Sequence, residues 1–382
     1  MNNFYSRKFK NEDSSQINNL YRLIKGVNRT DAQYSWEWLK TWDGIGSSWL
    51  MFDSTRPPED QLVCQYSLIP IPLSYYGKSC IAGKTENCMS HPDLRGKRVY
   101  FPHEKKYFEE AKSRFQAFFT TTGKGAPGRV RRKLGYYPLD LWTRYYYFHN
   151  LKDCIAYHRS NAKKDTTNSS PLKKFALTTI KSLVGVFEFV RMSNMPTAHA
   201  NGYSYKIVDS GDSTLEQIEK LWNSNKENFG ITIARTQNYM RWRIDENPYH
   251  DYKYLFLYKD KEVIGYIVFN KNKEDLLSIL DVIVDKNDNF HLIQIFRSLI
   301  TESKRMSNKG IICRTVFGNE LLEKAFAGFG SKRKVSKQWI ENQQNKGKEA
   351  HDFYGVVLDS LDITKKSINP KNWYITALFL ES

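Results

Sequence analysis

The 382-residue sequence has no apolar run approaching the roughly 20 residues that a membrane-spanning helix requires. Its opening residues, MNNFYSRKFKNEDSSQ, lack the apolar centre of an export signal, so a cytoplasmic location is expected. Cysteine is scarce. Positions 64, 80, 88, 154 and 313 are odd in number, widely spaced and without a Cys-x-x-Cys pair, which points to reduced thiols rather than a disulfide framework. The eight histidines show no metal-ligand spacing with cysteine or acid, and no metal site is expected. Also missing are a Gly-x-Ser-x-Gly nucleophile elbow and a Walker loop. Acid is the last shortage: 41 Asp and Glu stand against 58 Lys and Arg, a formal charge of +17. Such an excess fits an anionic partner (coenzyme A phosphates, a nucleotide-linked sugar, nucleic acid or an anionic membrane face) or simply a soluble, lysine-rich surface.

What is present is enough for two folded domains: 40% hydrophobic and 14% aromatic residues over this length. The chain is organised around residues 80–137. A strand pattern at 79–90 runs into His91-Pro92, where proline stops the pairing. A basic turn follows, Asp93-Leu94-Arg95-Gly96-Lys97-Arg98. Tyr107, Phe108, Ala111, Phe115, Phe118 and Phe119 then recur at helical spacing and predict one long helix. Strand, basic turn and helix together make a phosphate site plausible on physical grounds, because a helix N-terminus offers unpaired N–H donors and the positive end of its dipole.

This stretch resembles the GNAT-type N-acetyltransferases, in which a strand delivers the chain to a loop of the form Arg/Gln-x-x-Gly-x-Gly/Ala at the start of a long helix. Arg95 fills the first position and Gly96-Lys97 matches the common Arg-Gly-Lys form, while Arg98 and Tyr100 stand at the two glycine positions. Ala126-Pro127-Gly128, the basic turn through Arg129, Arg131, Arg132 and Lys133, and Leu134-Gly135-Tyr136 resemble the family's fourth helix and its ending. Arg131 occupies the place of a tyrosine general acid. The resemblance, which spans residues 60–140, implies acetyl-coenzyme A or another acyl-coenzyme A as co-substrate, held by Arg95, Gly96, Lys97, Arg98, Gly128, Arg129 and Lys133. For the amine's proton, Glu86 on the strand or His91 at its end is the candidate base, and Tyr136 (or Tyr137) can protonate the leaving thiolate.

The flanks extend the pattern. Residues 14–26 read as a helix capped by Ser14 or Ser15 and stopped by Gly26. Trp36 and Trp38 begin an aromatic helix that either packs in the core or walls an acceptor site. Residues 141–148 are expected to close the first unit as a strand. A polar linker at 163–171 leads to an amphipathic helix over 172–187, read either as a membrane-surface helix or as one packed between domains. From residue 201 the order of elements repeats, ending in strands near 353–358 and 373–380. Val63-Cys64-Gln65-Tyr66 corresponds to Ile264-Gly265-Tyr266-Ile267, and Gly135-Tyr136 to Gly328-Phe329.

The expected fold class is α/β: two tandem GNAT-like domains, each with a mixed, mostly antiparallel central sheet flanked by helices. The expected divisions are 1–150, a linker and amphipathic helix at 151–200, and 201–382. In the second unit Asp285 and Asp288 stand where the first has Arg95 and Arg98, so only the first is expected to hold a cofactor. The expected function is acyl-coenzyme A-dependent N-acyl transfer to a small-molecule or sugar amine, such as an amino sugar of a bacterial surface polysaccharide. Two alternatives stand beside it. One is a Fem-like aminoacyltransferase using charged tRNA, against which the sequence offers no helical arm; the other is a non-catalytic binding subunit. Peripheral membrane contact falls to residues 172–191.

Overall fold

The computed structural model describes residues 3–123, 126–165, 170–193, 200–316, 320–327, 331–332, 351–357, 367 and 369–380. The first unit opens with β1 (Phe4–Lys8), α1 (Ser14–Lys25) and α2 (Asp31–Tyr34). Ile17 and Leu20 face the core from α1, and Gly26 ends it in the left-handed conformation, φ +72°. Asp13, not Ser14 or Ser15, holds the cap position. Its carboxylate is already engaged by the Arg7 guanidinium and the Lys10 N–H. A meander follows of β2 (Ser47–Asp53), β3 (Leu62–Tyr75) and β4 (Lys78–Ser90). Then come α3 (Tyr100–Ala111), β5 (Ala117–Gly123), α4 (Ala126–Lys133) and β6 (Tyr137–Phe148).

The long helix expected through Phe119 is therefore shorter. α3 ends at Ala111, where the N–H groups of Lys112, Ser113 and Arg114 bond back three residues in a tightening turn. Phe118 and Phe119 instead alternate across β5, Phe118 packing with Phe108 and Phe119 with Phe379 on the opposite face. The threonines at 120–122 favour that extended run.

Two helices, α5 (Leu151–Asp165) and α6 (Pro171–Ser193), form an antiparallel hairpin between the units. A helical arm is thus present where the sequence was read as having none. The second unit comprises β7 (Tyr203–Val208), α7 (Asp212–Asn225), β8 (Ile231–Ile233), α8 (Gln237–Met240), β9 (Lys253–Lys259), β10 (Glu262–Lys271) and β11 (Leu276–Val284). It continues with α9 (Asn289–Arg305), β12 (Gly310–Val316), α10 (Glu320–Ala327), β13 (Ser331–Lys332) and β14 (His351–Val357). The strand expected at 373–380 is not one. That segment forms two short 3-10 turns, Pro370–Asn372 and Ala377–Phe379. Gly328 and Phe329 lie outside the described residues.

The strands join into one sheet in the order β1-β2-β3-β4-β5-β14-β6-β12-β11-β10-β9-β7. Each unit has the same plan: an antiparallel meander, then one parallel pair, β4 with β5 and β11 with β12. The units share strands. β6 does not close the first unit; its first residues pair with β14 and its last seven, Trp142–Phe148, pair with β12. β14, late in the chain, inserts between β5 and β6.

The duplication also brings two equivalent turns face to face. Arg29-Thr30 precedes Trp36 as Arg235-Thr236 precedes Trp242, and each threonine hydroxyl caps a four-residue helix that widens into a π-helical turn. The indoles of Trp36 and Trp242 stack at 5.0 Å. Each Nε1–H donates to the other residue's carbonyl, at 2.7 and 3.0 Å. This reciprocal pair fixes the contact between the units.

Candidate active site

β4 and β5 pair only over Ala82–Lys84 and Ala117–Phe119, and then diverge. The split opens under the loop that joins β4 to α3. In that loop Arg95, Gly96, Lys97 and Arg98 are all exposed. Gly96 has φ +84° and Arg98 φ +60°, so Arg98 adopts the left-handed backbone that glycine favours. Val99, at the N-cap of α3, gives its first turn no side-chain hydrogen bond. The N-terminal end of this helix thus follows directly on an exposed basic loop. Lys133 of α4 comes to it as well, its Nζ 5.4 Å from the Phe101 ring. Gly128 is buried on α4 and Arg129 is exposed.

Beneath the loop is a polar cluster in an aromatic core. Arg131 pairs with Glu104 of α3, both buried. Tyr136 is buried, its Oη 3.2 Å from Thr85 Oγ1, and Thr120 Oγ1 donates to the Thr85 carbonyl at 3.4 Å. Burial raises the Tyr136 phenol above its ordinary pKa, and the neighbouring Arg131 charge opposes the rise. Burial also holds Tyr66 and Tyr100 well above theirs.

The equivalent split of the second unit is filled by the chain itself. Thr315 Oγ1 donates to the Ile375 carbonyl at 2.6 Å, Tyr374 Oη to the Val282 carbonyl at 2.7 Å, and Thr376 Oγ1 to Asp281 at 2.8 Å. The C-terminal segment lies here as a plug, its carbonyls taken by side chains instead of a strand ladder. The helix N-terminus beside it is occupied too: the Asp288 carboxylate accepts from the N–H groups of Phe290 and His291 at 2.7 and 3.0 Å.

Between the units lies a cavity of about 80 Å³. Lys84 and Glu86 of β4 form an ion pair in its wall, both nearly buried. Thr85, between them, points to the opposite face with Tyr136. β4 bulges just beyond, where the register with β3 slips and Asn87 takes φ +46°. Glu37 faces the same cavity. It accepts from Arg29 at 2.6 Å, Trp38 Nε1 at 3.1 Å, Asn87 Nδ2 at 3.2 Å and the Tyr249 hydroxyl. Trp36, Trp242 and Tyr239 supply aromatic walls, and Arg243, donating to the Leu380 carbonyl at 2.9 Å, closes the far side.

Of the expected catalytic residues, only Glu86 reaches this cavity. Tyr136 sits across the sheet in the β4–β5 split. His91 lies at the end of β4 in a separate cavity with Gln16, Asn19 and Glu59, its Nε2 3.4 Å from Arg56. Burial and the Arg56 charge lower its pKa. Three residues escaped the sequence reading: Glu37, Tyr249 and Glu104. For Glu37 a signal existed, a carboxylate flanked by two tryptophans in a stretch repeated at Arg235–Trp242. For Tyr249 and Glu104 there was none, since each depends on partners distant in sequence.

No family model matches the sequence, and no curated protein does. Solved structures do resemble the fold. A probable N-acyltransferase from Enterococcus faecalis superposes with a TM-score of 0.63 at 12% identity, covering 94% of this chain and 74% of that one. A GCN5-related N-acetyltransferase from Anabaena variabilis gives 0.58 at 11% identity, covering 93% and 72%. N-myristoyltransferase of Saccharomyces cerevisiae with bound myristoyl-coenzyme A gives 0.50 at 13% identity, covering 93% and 83%. Identities this low speak for architecture alone, and with the repeated plan of the two units they identify the fold as that of the GNAT acyltransferases, in tandem form.

Proposed function

We propose that the protein transfers an acyl group, acetyl in the simplest case, from acyl-coenzyme A to an amine. The observation that carries this reading is the diverging β4–β5 pair below an exposed basic loop that leads into α3, with Glu86 on the same strand turned into the inter-unit cavity. Arg95, Lys97, Arg98 and Lys133 are assigned to the coenzyme's phosphates, with Gly96, Gly128 and Arg129 alongside. Charge-assisted hydrogen bonds of this kind contribute roughly 1.5–3 kcal/mol each. The pantetheine follows the split towards the bulge of β4.

In this assignment the amine enters the cavity and attacks the thioester carbonyl. Glu86 takes its proton, directly or through water, and the ion pair with Lys84 holds the Glu86 carboxylate in place. Tyr136, kept protonated by burial, returns a proton to the departing thiolate across the strand. Glu37, saturated with donors, positions Asn87 and Tyr249 and is not the base. The aromatic walls suit a sugar ring, so an amino sugar of a bacterial surface polysaccharide remains the proposed acceptor. The tRNA-dependent alternative regains a helical arm, but the outward face of α6 is a large apolar stripe, which suits lipid better than a nucleic-acid backbone.

Glu86→Gln is expected to lower kcat about 100-fold with little change in coenzyme A affinity. An unchanged kcat would remove Glu86 as the base. The second unit, with its split plugged and its helix capped, is expected to bind no cofactor. Calorimetric titration should therefore give one coenzyme A per chain, and acetyl-coenzyme A at 100 times its Kd should add about 2.7 kcal/mol of stability. A melting temperature unmoved at millimolar acetyl-coenzyme A would favour the non-catalytic alternative, and a stoichiometry of two would contradict the assignment of the plug.

A further inference from the structure

α6 is turned the wrong way round for a hairpin in water. Its seam with α5 joins small and polar groups, and of its larger apolar side chains Met192 and Phe189 turn inward, to a cluster with Cys154 and Tyr157. Arg159 Nε donates to Ser182 Oγ at 2.8 Å, Cys154 Sγ to the Gly185 carbonyl at 3.3 Å, and His158 pairs with Glu188 at 2.6 Å. Gly185 permits this close approach, since a Cβ there would stand 3.1 Å from Ile155 Cα. Six other large apolar side chains lie on the opposite side. Leu172 is 84% exposed, Phe175 75%, Leu183 65% and Phe187 73%, with Ile180 and Val190 at 55%. At 3.6 residues per turn they fill an arc about 140° wide. Folding ordinarily buries such a stripe; here it is displayed along a 23-residue helix, about 35 Å long.

The charges around the stripe indicate what covers it. Lys173 and Arg191 both fall about 80° from Leu183 on the helix surface, at one margin of the apolar arc. Over residues 151–193 there are eight Lys and Arg against three Asp and Glu. We propose that α6 rests on an anionic lipid bilayer, its apolar stripe in the boundary between headgroups and acyl chains and its marginal cations against lipid phosphates. No described helix is long and apolar enough to cross a membrane, so α6 lies along the surface. A second copy of the chain is the weaker occupant, because a two-fold seam would set one net-positive hairpin against another.

The proposal stands apart from acyl transfer and is tested without it. The full chain is floated with phosphatidylcholine vesicles, plain or containing about one third phosphatidylglycerol. It should bind the anionic vesicles about 10-fold more tightly than the neutral ones, and less in high salt. Leu183→Glu with Phe187→Glu changes only exposed positions. That variant should keep its melting temperature and its coenzyme A affinity while losing vesicle binding by about 10-fold or more. Equal binding to both vesicle types would overturn the proposal, as would no binding to either. So would a lipid-free dimer, seen by sedimentation, that the same double variant dissociates.

Discussion

Asp281→Ala is expected to destabilise the protein by about 3–5 kcal/mol, measured by denaturant unfolding. Asp281 and Arg235 are both wholly buried, and their ion pair is closed by Nη2 at 2.9 Å and Nε at 3.1 Å. Asp281 also accepts from Tyr266 Oη at 2.7 Å and Thr376 Oγ1 at 2.8 Å. Removing the carboxylate leaves a guanidinium in the core with no counter-charge, and its desolvation is then uncompensated. The double replacement Arg235→Met with Asp281→Leu should recover much of the loss, since no isolated charge remains. A loss below about 1 kcal/mol for Asp281→Ala would mean that water reaches the site and the pair is not what holds it.

The effect should spread beyond stability. Thr376 ties the C-terminal segment to Asp281, and the same segment carries Leu378 and Leu380 into the wall of the inter-unit cavity. Loosening it by Thr376→Val should make residues 370–380 an early site of proteolysis and raise the KM for the amine before that for acyl-coenzyme A.

The element order of both units could be read from the sequence because its signals are local. Strand patterns, the Tyr76-Gly77 turn, the Gly26 stop and the basic loop each depend on neighbours within a few residues. The phenylalanines at 115, 118 and 119 were misread because helical spacing and two-sided strand burial both place apolar residues close together. What separates them is the partner: β5 pairs in parallel with Ala82–Lys84, more than thirty residues away. Residues 373–380 failed for a related reason. Their nearly continuous apolar run suits a buried strand, yet beyond one bridge of Trp373 to Ile231 their carbonyls meet side-chain hydroxyls of Thr232 and Thr315. The exchange of β6 and β14 between units had no local signature at all.

The candidate site divides along the same line. Glu86 and the loop at 95–98 could be proposed from the sequence because motif and strand position coincide. Glu37 and Tyr249 meet from 212 residues apart, and only the fold brings them together. The clearest overlooked signal was the repeat of Arg29-Thr30 and Trp36 as Arg235-Thr236 and Trp242, a stronger mark of duplication than the paired strands at 63–66 and 264–267. Its two arginines have since taken different partners, Glu37 in the first unit and Asp281 in the second. That divergence matches the division of labour proposed for them, with one arginine beside the open cavity and the other behind the plug.

Acid should weaken the protein as pH falls from 6.5 to 4, a range in which two buried histidines begin the loss. His103 of α3 is 3% exposed, and burial pulls its imidazole down to about 4, with Lys106 adding to the shift and the Trp49 carbonyl opposing it. His149 is pulled to about 4 as well, by burial and Lys304 against the opposing charge of Asp153. In the unfolded chain both titrate near 6.5. The folded protein therefore binds fewer protons than the unfolded one throughout this window. The stability linked to these histidines is fully present above about pH 6.5 and is lost as pH falls towards 4. At 1.36 kcal/mol per unit, His103 accounts for about 3 kcal/mol; His149, only part-buried, accounts for less after solvent screening. Asp13, held below its ordinary range by Arg7, adds its loss only under more acidic conditions. In a series of urea titrations the wild type should lose stability steadily from pH 6.5 to 4, and His103→Gln should make that slope measurably shallower whatever its stability at pH 7, the rest belonging to His149, His91 and His250. Because His103 bridges the Trp49 carbonyl and Ser6 at 3.2 Å each, its protonation loosens α3 from β1 and β2. Coenzyme A affinity, which depends on the first turn of α3, should fall over the same range in the wild type and not in His103→Gln. Parallel slopes for the two proteins would show that His103 is not the group that titrates.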